Sequence, residues 1–356
     1  MPEASPDIVV VGLGPAGSRA ATAAAEMGAH VVAVERRAAP GRPVQCAEFV
    51  PALLDQEVTG LPEVTAQAVG RMLTFVAADP ADETPSFPGR MIDRAAFDRM
   101  LAERAAAAGV ACRHGVSVLR IEADGEVLTT DGAQLRPRLL IGADGPHSRV
   151  GAAIGSVNRA LVETRQITVP LLQPLDATDV FLEASYLGGY GWLFPKGRVA
   201  NLGIGAAAKL RPRLKPLLAA LHGRLVAERR VGNAVSTLTG GAIPVGGRLA
   251  VRGELGAIPV LLAGDAAGLT NPVTGAGIAA ATISGRLAGV AASRWLAGDR
   301  DALHDYEEEL GDIFDDALAR ALRRRRAVLA CYDKDRVPDA AMLRAGWIAY
   351  PQYWAA

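Results

Sequence analysis

Asp7-Ile-Val-Val-Val11, running straight into Gly12-Leu-Gly14-Pro-Ala-Gly17, decides the fold of this 356-residue chain. The β-branched run predicts a buried strand, and the Ala-rich stretch from Gly17 to Met27 predicts a helix. A second run, His30 to Val34, ends on Glu35. Strand, glycine turn, helix, strand and terminal acid together make a dinucleotide-binding βαβ unit. Gly12 permits the tight turn, Gly14 lets the backbone approach a pyrophosphate, and Gly17 lets helix and strand pack closely. The helix N-terminus offers unpaired N–H groups and a positive dipole end to phosphates. Glu35 is placed to accept hydrogen bonds from ribose hydroxyls. Nothing in this fingerprint separates NAD from FAD.

The same device recurs far downstream. The predicted strand Ile258-Pro-Val-Leu-Leu-Ala263 runs into Gly264-Asp265-Ala-Ala-Gly268, and Asn271-Pro-Val-Thr-Gly275-Ala-Gly277-Ile278 opens a long helix to about Ala297. Asp265 suits a polyol hydroxyl. The amides around Gly275 to Ile278 suit a ring edge where charge accumulates on reduction. A ligand gripped by devices at both ends of the chain is long, as FAD is. Between them, Leu139-Leu-Ile-Gly142-Ala-Asp144-Gly145 closes another strand, and Asp144 is read as the cap of a helix beginning near Pro146.

Half the chain is hydrophobic, 21% is charged, and there are 39 Gly and 22 Pro. That composition excludes a disordered, collagenous or coiled-coil chain. The 38 basic residues balance the 38 acidic ones, which argues against a global grip on nucleic acid. Three scattered cysteines and five isolated histidines offer neither a disulfide framework nor metal-ligand spacing, so no metal is expected. The opening MPEASPD lacks the basic region of a signal peptide. The charge-free stretch Ala266 to Gly285 is too polar for a spanning helix. A cytoplasmic location is expected, with peripheral membrane contact left to the C-terminal tail.

From Arg159 to Gly247 strand-like runs predominate: Gln166 to Pro170, Val180 to Ala184, Trp192 to Phe194 and Leu202 to Ile204. They predict an antiparallel sheet, interrupted by a helix near Leu210 to Arg230. Tyr190 and Trp192 lie two apart, so they share one face of a strand, as an aromatic wall or as ordinary sheet core. Cys46 follows the second strand and stands open between proton donor, thiol packed on a cofactor, and inert filler. Glu48 is the competing acid. The run Arg323 to Arg326 reads as a solvated face or an anionic-surface contact. Trp347, Tyr350, Tyr353 and Trp354 crowd the last ten residues, which suits a tail packed over a pocket or resting at a lipid interface.

Together these blocks resemble the FAD-dependent oxidoreductases of the para-hydroxybenzoate hydroxylase type, and within them the geranylgeranyl reductase family. The narrowing motifs are Pro43-Val-Gln-Cys46-Ala-Glu48, Asp93-Arg94-Ala-Ala-Phe97-Asp98, and Tyr190-Gly-Trp192-Leu-Phe194-Pro195-Lys196 with Gly203 and Gly205 after it. Gly241-Ala-Ile-Pro244-Val-Gly-Gly247 and the Asp265 to Gly285 block complete the likeness, which covers about residues 6 to 297. The family usually has Gly after the motif cysteine, where this chain has Ala47, and its C-terminal part is often longer.

The resemblance implies an α/β (α+β) chain: a Rossmann-like FAD-binding domain with an inserted antiparallel-sheet substrate domain and a helical C-terminus. FAD would be bound by segments 1–75, 76–155, the latter with possible strands toward the substrate domain, and 248–297, substrate by 156–247, and 298–356 would be helical with the aromatic tail. FAD contacts fall on Ala16, Glu35, Cys46, Ala47, Arg94, Val118, Asp265, Gly277 and Ile278, beside the glycines read above. The implied activity is reduction of isolated C=C bonds in a prenyl chain by flavin hydride transfer plus protonation, with Cys46, Glu48, Tyr190 and Trp192 as catalytic candidates. The electron donor is external, NAD(P)H or an electron-carrier protein, because no second nucleotide fingerprint is present. Two rivals stand beside it: an FAD monooxygenase acting on an aromatic or peptide substrate, and a flavin-carrying maturation or interaction protein.

Overall fold

The computed structural model describes residues 5–332 and 336–355. Met1 to Ala4 of the acidic N-terminal stretch, residues 333–335 and Ala356 lie outside the described residues. The first sheet has the order Arg252–Leu255, Ile258–Leu262, Leu139–Gly142, Ile8–Val11, Val31–Glu35, Ala111–His114. All neighbours are parallel except the Arg252–Leu255 edge hairpin. Ile8–Val11 is at most 5% exposed, as a strand buried on both faces must be. The chain builds outward from it on one side and later on the other, so the crevice at its C-terminal end is the topological switch point.

Helix Pro15–Glu26 packs on helix Ile278–Leu296 through a seam of small residues. A methyl group on Gly285 would stand 2.1 Å from the Ala16 carbonyl oxygen, and one on Gly289 would stand 2.2 Å from that of Ala20. The two glycines are four apart, one turn on one face, and they let the backbones touch.

The second large sheet runs Thr237–Thr239, Leu161–Pro170, Val199–Ala207, Gly191–Lys196, Ala177–Leu182, Arg71–Val76, Asp82–Thr84, with Ala242–Pro244 also on Leu161–Pro170. Its strands alternate strictly. Ile167, Val169, Phe181, Leu193, Leu202 and Ile204 meet Leu214, Leu218, Leu221 and Leu225 of helix Leu214–Ala227. Thr164, Gln166, Thr178, Val180, Trp192 and Phe194 face the other way, into a cavity. Two features differ from the sequence reading. The boundary at residue 75 falls inside the strand Arg71–Val76, which pairs with Ala177–Leu182 in this sheet, and that pair is parallel within an otherwise antiparallel sheet. The alternation in Arg71–Val76 is that of any half-buried strand, so its sequence does not say which sheet it joins.

Helix Ala302–Tyr332 spans about 46 Å at 1.5 Å per residue. Near its start Tyr306 donates to the Leu262 carbonyl at 2.7 Å, and at its end Tyr332 donates to the Ala184 carbonyl at 2.7 Å, so it ties both sheets together. Among the described residues no helix is long and apolar enough to cross a membrane.

Candidate active site

At the nucleotide end Gly12 adopts φ +94°, and a methyl group there would lie 2.4 Å from the Ala143 carbonyl oxygen. On Gly17 it would meet the Gly12 carbonyl oxygen at 1.7 Å, so strand and helix close on each other only because both are glycines. Gly14 differs: nothing stands within 4 Å of where its Cβ would be, and it lines the cavity. The helix behind it begins with no side-chain cap, leaving its first amides for a ligand. Glu35 accepts from Leu13 N at 2.8 Å and Arg37 N at 2.9 Å. A carboxylate has about four lone-pair positions, so two remain for ribose hydroxyls. Val118 is buried at the start of a strand beside this end, and Arg149 donates to its carbonyl at 2.9 Å.

Asp144 accepts from Ser148 Oγ and from the Arg149 amide at 2.6 Å, behind the true cap, Ser148. Its role is structural, and the helix starts three residues later than read, at Arg149.

Further in, Asp265 accepts from Thr270 Oγ1 at 2.8 Å. Burial pushes its carboxyl up, while Thr270 and the Arg94 charge oppose the shift. Gly277 leaves room there: a methyl group on it would stand 3.1 Å from Asp265 Oδ1. Gly277 and Ile278 begin helix Ile278–Leu296, whose N-terminus has no side-chain cap. Gly275 plays a different part from its neighbours. Its amide donates to the Asn271 carbonyl at 2.9 Å and its φ is +69°, so it shapes the turn and is not a free donor.

Arg94 stands largely buried at the head of helix Arg94–Ala107. Burial opposes its charge, but Asp98, at 2.6 Å, and Cys46 outweigh that and hold it above its ordinary range. Arg94, Cys46 and Asp265 all line the same cavity. Cys46 Sγ in turn accepts from the Glu48 amide at 3.2 Å.

Glu48, proposed from sequence as an acid, is placed as a clamp. It adopts φ +71°, is 5% exposed, and its carboxylate accepts from Lys196 Nζ at 2.8 Å, Asn201 Nδ2 at 2.8 Å and Arg94 N at 2.9 Å. Three donors from two strands and a helix leave it little to offer a substrate.

Tyr190 and Trp192 share a face, with ring centroids 5.7 Å apart. The Tyr190 hydroxyl donates to the Thr274 carbonyl at 2.6 Å, and burial raises its pKa. Trp192 Nε1 donates to Gln166 Oε1 at 3.0 Å, and Gln166 Nε2 donates to the Cys46 carbonyl at 2.9 Å. The indole is seated opposite Gly203, where a methyl group would lie 2.2 Å from the ring. Ala47 sits in the same apolar cluster.

Every sequence candidate except Gly17 lines one cavity of about 890 Å³, which runs from the glycine turn to an aromatic chamber of Phe49, Phe87, Tyr190, Trp192, Phe194 and Trp347. The residues fit a dinucleotide carrying a ring system: an open cradle at Gly14, an acid at the ribose position, and a second uncapped helix start at Gly277. Among the described residues no cluster suited to a metal ion occurs.

Three participants escaped the sequence reading. Asp98 stands in a quoted motif and Gln166 in a quoted strand run, but neither was given a role there. Arg325 was lost in the run of four arginines, but it lines the cavity, and Arg324 binds the Tyr353 carbonyl at 3.0 Å, so that run is not one solvated face. The tail packs inward through Trp347 and Tyr353, 4% and 2% exposed, with Trp354 left exposed.

A family model described as lycopene cyclase protein matches residues 7–167. The chain is 34% identical over 344 residues to digeranylgeranylglycerophospholipid reductase 2 of Methanopyrus kandleri, covering 88% of this chain and 85% of that protein. In structure it is similar to a geranylgeranyl bacteriochlorophyll reductase-like protein of Thermoplasma acidophilum, with a TM-score of 0.81, 24% identity, and 98% and 97% of the two chains covered. A probable FAD-dependent monooxygenase of Pseudomonas aeruginosa shares the fold at a TM-score of 0.70, with 17% identity and 95% and 98% covered. The extent and identity of the Methanopyrus match, together with the cavity, place this chain: it belongs to the geranylgeranyl reductase family of FAD-dependent oxidoreductases.

Proposed function

We propose that this protein binds FAD and reduces isolated C=C bonds in the prenyl chain of a lipid or lipid precursor. The observation that carries the reading is that one cavity of about 890 Å³ is lined both by an open glycine cradle and by a set of aromatic side chains. The 34% identity to a reductase supports it over the monooxygenase reading, whose relatives at 17% share the fold alone.

The amides behind Gly14 and Ala16 would hold the pyrophosphate, Glu35 the adenosine ribose, and Asp265 the polyol. The start of the helix at Gly277 and Ile278 would face the ring. FAD, when reduced, supplies the hydride equivalent that the alkene accepts. The chain's own residues do the rest. An isolated alkene is unpolarised, so a proton must arrive at one carbon as the other is reduced, and alignment matters most.

Cys46 is the acid the geometry favours, since Glu48 is committed to three donors and Tyr190 already gives its proton to the Thr274 carbonyl. Arg94 positions the thiol. Trp192, held through Gln166 to the Cys46 backbone, keeps loop and wall in register. The aromatic side chains exclude water. The electron donor is external, NAD(P)H or an electron-carrier protein.

The test is product analysis. Enzyme reduced with dithionite under argon and given geranylgeranyl diphosphate should yield a lipid heavier by two hydrogens per reduced bond. Unchanged lipid under argon with an oxygenated product in air would overturn the reading.

A further inference from the structure

Arg325 lies on helix Ala302–Tyr332 and turns inward, donating to the carbonyls of Gly188 and Pro272, the latter at 3.2 Å. It lines the cavity. Among the described residues no carboxylate pairs with it, and burial pulls its pKa down to about 10. A guanidinium carries five N–H donors, so two carbonyls leave several unspent.

On the same wall Trp347 Nε1 is buried with no acceptor among the described residues. Packing brings the two together. Val328 sits 2.6 Å from where a methyl group on Gly346 would be, and Leu329 sits 2.8 Å from one on Gly188, so one face of the helix grips both turns. Arg325 shares that face, its Nη2 standing 3.0 Å from the same point on Gly188. A half-buried cation balanced only by carbonyl dipoles is poised for an anion.

Resting on the prenyl-reductase reading, we propose that Arg325 and the Trp347 indole N–H anchor an anionic headgroup, a phosphate or diphosphate attached to the prenyl chain. The planar fork of the guanidinium matches two phosphate oxygens at once, and the indole N–H adds a third contact. The anchor fixes which end of the chain lies at the Gly188 and Gly346 turns, and so which double bonds pass the Tyr190 wall. The competing role is a brace for the two carbonyls.

The test is calorimetric binding to the oxidised, flavin-loaded enzyme of geranylgeranyl diphosphate, geranylgeraniol and inorganic diphosphate. The first two share the chain and differ in the anion. Arg325→Gln, which keeps an amide donor for a carbonyl, should cut the diphosphate-to-alcohol affinity ratio by on the order of tenfold to a hundredfold. Trp347→Phe, which keeps the apolar wall, should cut it severalfold.

Equal weakening of both prenyl ligands would show a brace, and no change in either would show a bystander; each overturns the proposal. So would inorganic diphosphate binding as tightly as the prenyl diphosphate, which would mark a free-anion site instead. Binding needs no turnover. An enzyme that shows the predicted ratio but reduces neither ligand keeps the anchor and loses the reductase reading.

Discussion

Two glycines and two polar side chains, Gly17, Gly14, Cys46 and Glu48, decide most at the level of the single residue. Gly17 and Gly14 belong to one motif, but their surroundings predict opposite outcomes. Gly17→Ala drives a methyl group to 1.7 Å from a backbone oxygen and should cost about 3 kcal/mol or more, read as a lost or much lowered melting transition. Gly14→Ala meets nothing within 4 Å and should melt like the flavin-free wild type, while purifying with most of its flavin absorbance gone. The fingerprint marks both glycines; the structure packs Gly17 against the Gly12 carbonyl and leaves Gly14 open to the cavity. The sequence could not separate Cys46 from Glu48, because a motif does not show who donates to whom. Cys46→Ala should lower kcat on the order of a hundredfold with less than about 1 kcal/mol lost in stability. Glu48→Gln should cost about 3 kcal/mol in denaturant titration, because it strips Lys196 of its partner at 2.8 Å and loosens the loop. The reverse pattern, with Glu48→Gln stable and slow, would make Glu48 the acid.

Between elements, two contacts decide how the cofactor half holds together. The first is the small-residue seam between helices Pro15–Glu26 and Ile278–Leu296. Gly285→Ala there should destabilise by about 1–3 kcal/mol, since the added methyl group meets the Ala16 carbonyl oxygen at 2.1 Å. The second is Glu57, which joins Arg19 of one helix at 2.9 Å to Arg286 of the other at 2.9 Å. Burial alone would raise its carboxyl, but the two guanidinium groups prevail and hold it below its ordinary 4.5. A depressed carboxylate adds stability above the unfolded value and loses it as pH falls through the folded one. Glu57→Gln should therefore melt below wild type at pH 7, by about 1 kcal/mol once solvent screening is allowed for, and the gap should narrow as pH falls below 4.5. A gap that persists in acid would show that packing, not charge, joins the helices. Neither contact was legible beforehand. Glycines in a helix mark a close approach without naming the partner, and Glu57 meets Arg286 across 229 positions of chain.

Over the whole molecule, what was legible followed local rules. The βαβ unit, the Asp265 turn and the long helix at Ile278 each declare themselves within a few tens of residues. The assignment of Arg71–Val76 to the second sheet did not, because it rests on pairing with Ala177–Leu182 about a hundred positions away. The aromatic tail reads as packed over the pocket or resting at a lipid interface, packing being the safer reading, and Trp347 and Tyr353 are buried. Its fate depends on the length of helix Ala302–Tyr332, which delivers Arg325 and the Gly346 turn to the cavity. On the proposed function, one cavity presents a flavin on one side and an apolar chain on the other, so that electrons pass between them without oxygen. Anaerobic stopped-flow mixing of the dithionite-reduced enzyme with geranylgeranyl diphosphate tests this directly. Oxidised-flavin absorbance should return in a single turnover, in proportion to substrate and before any air is admitted. A flavin that stays reduced until oxygen enters would contradict the claim.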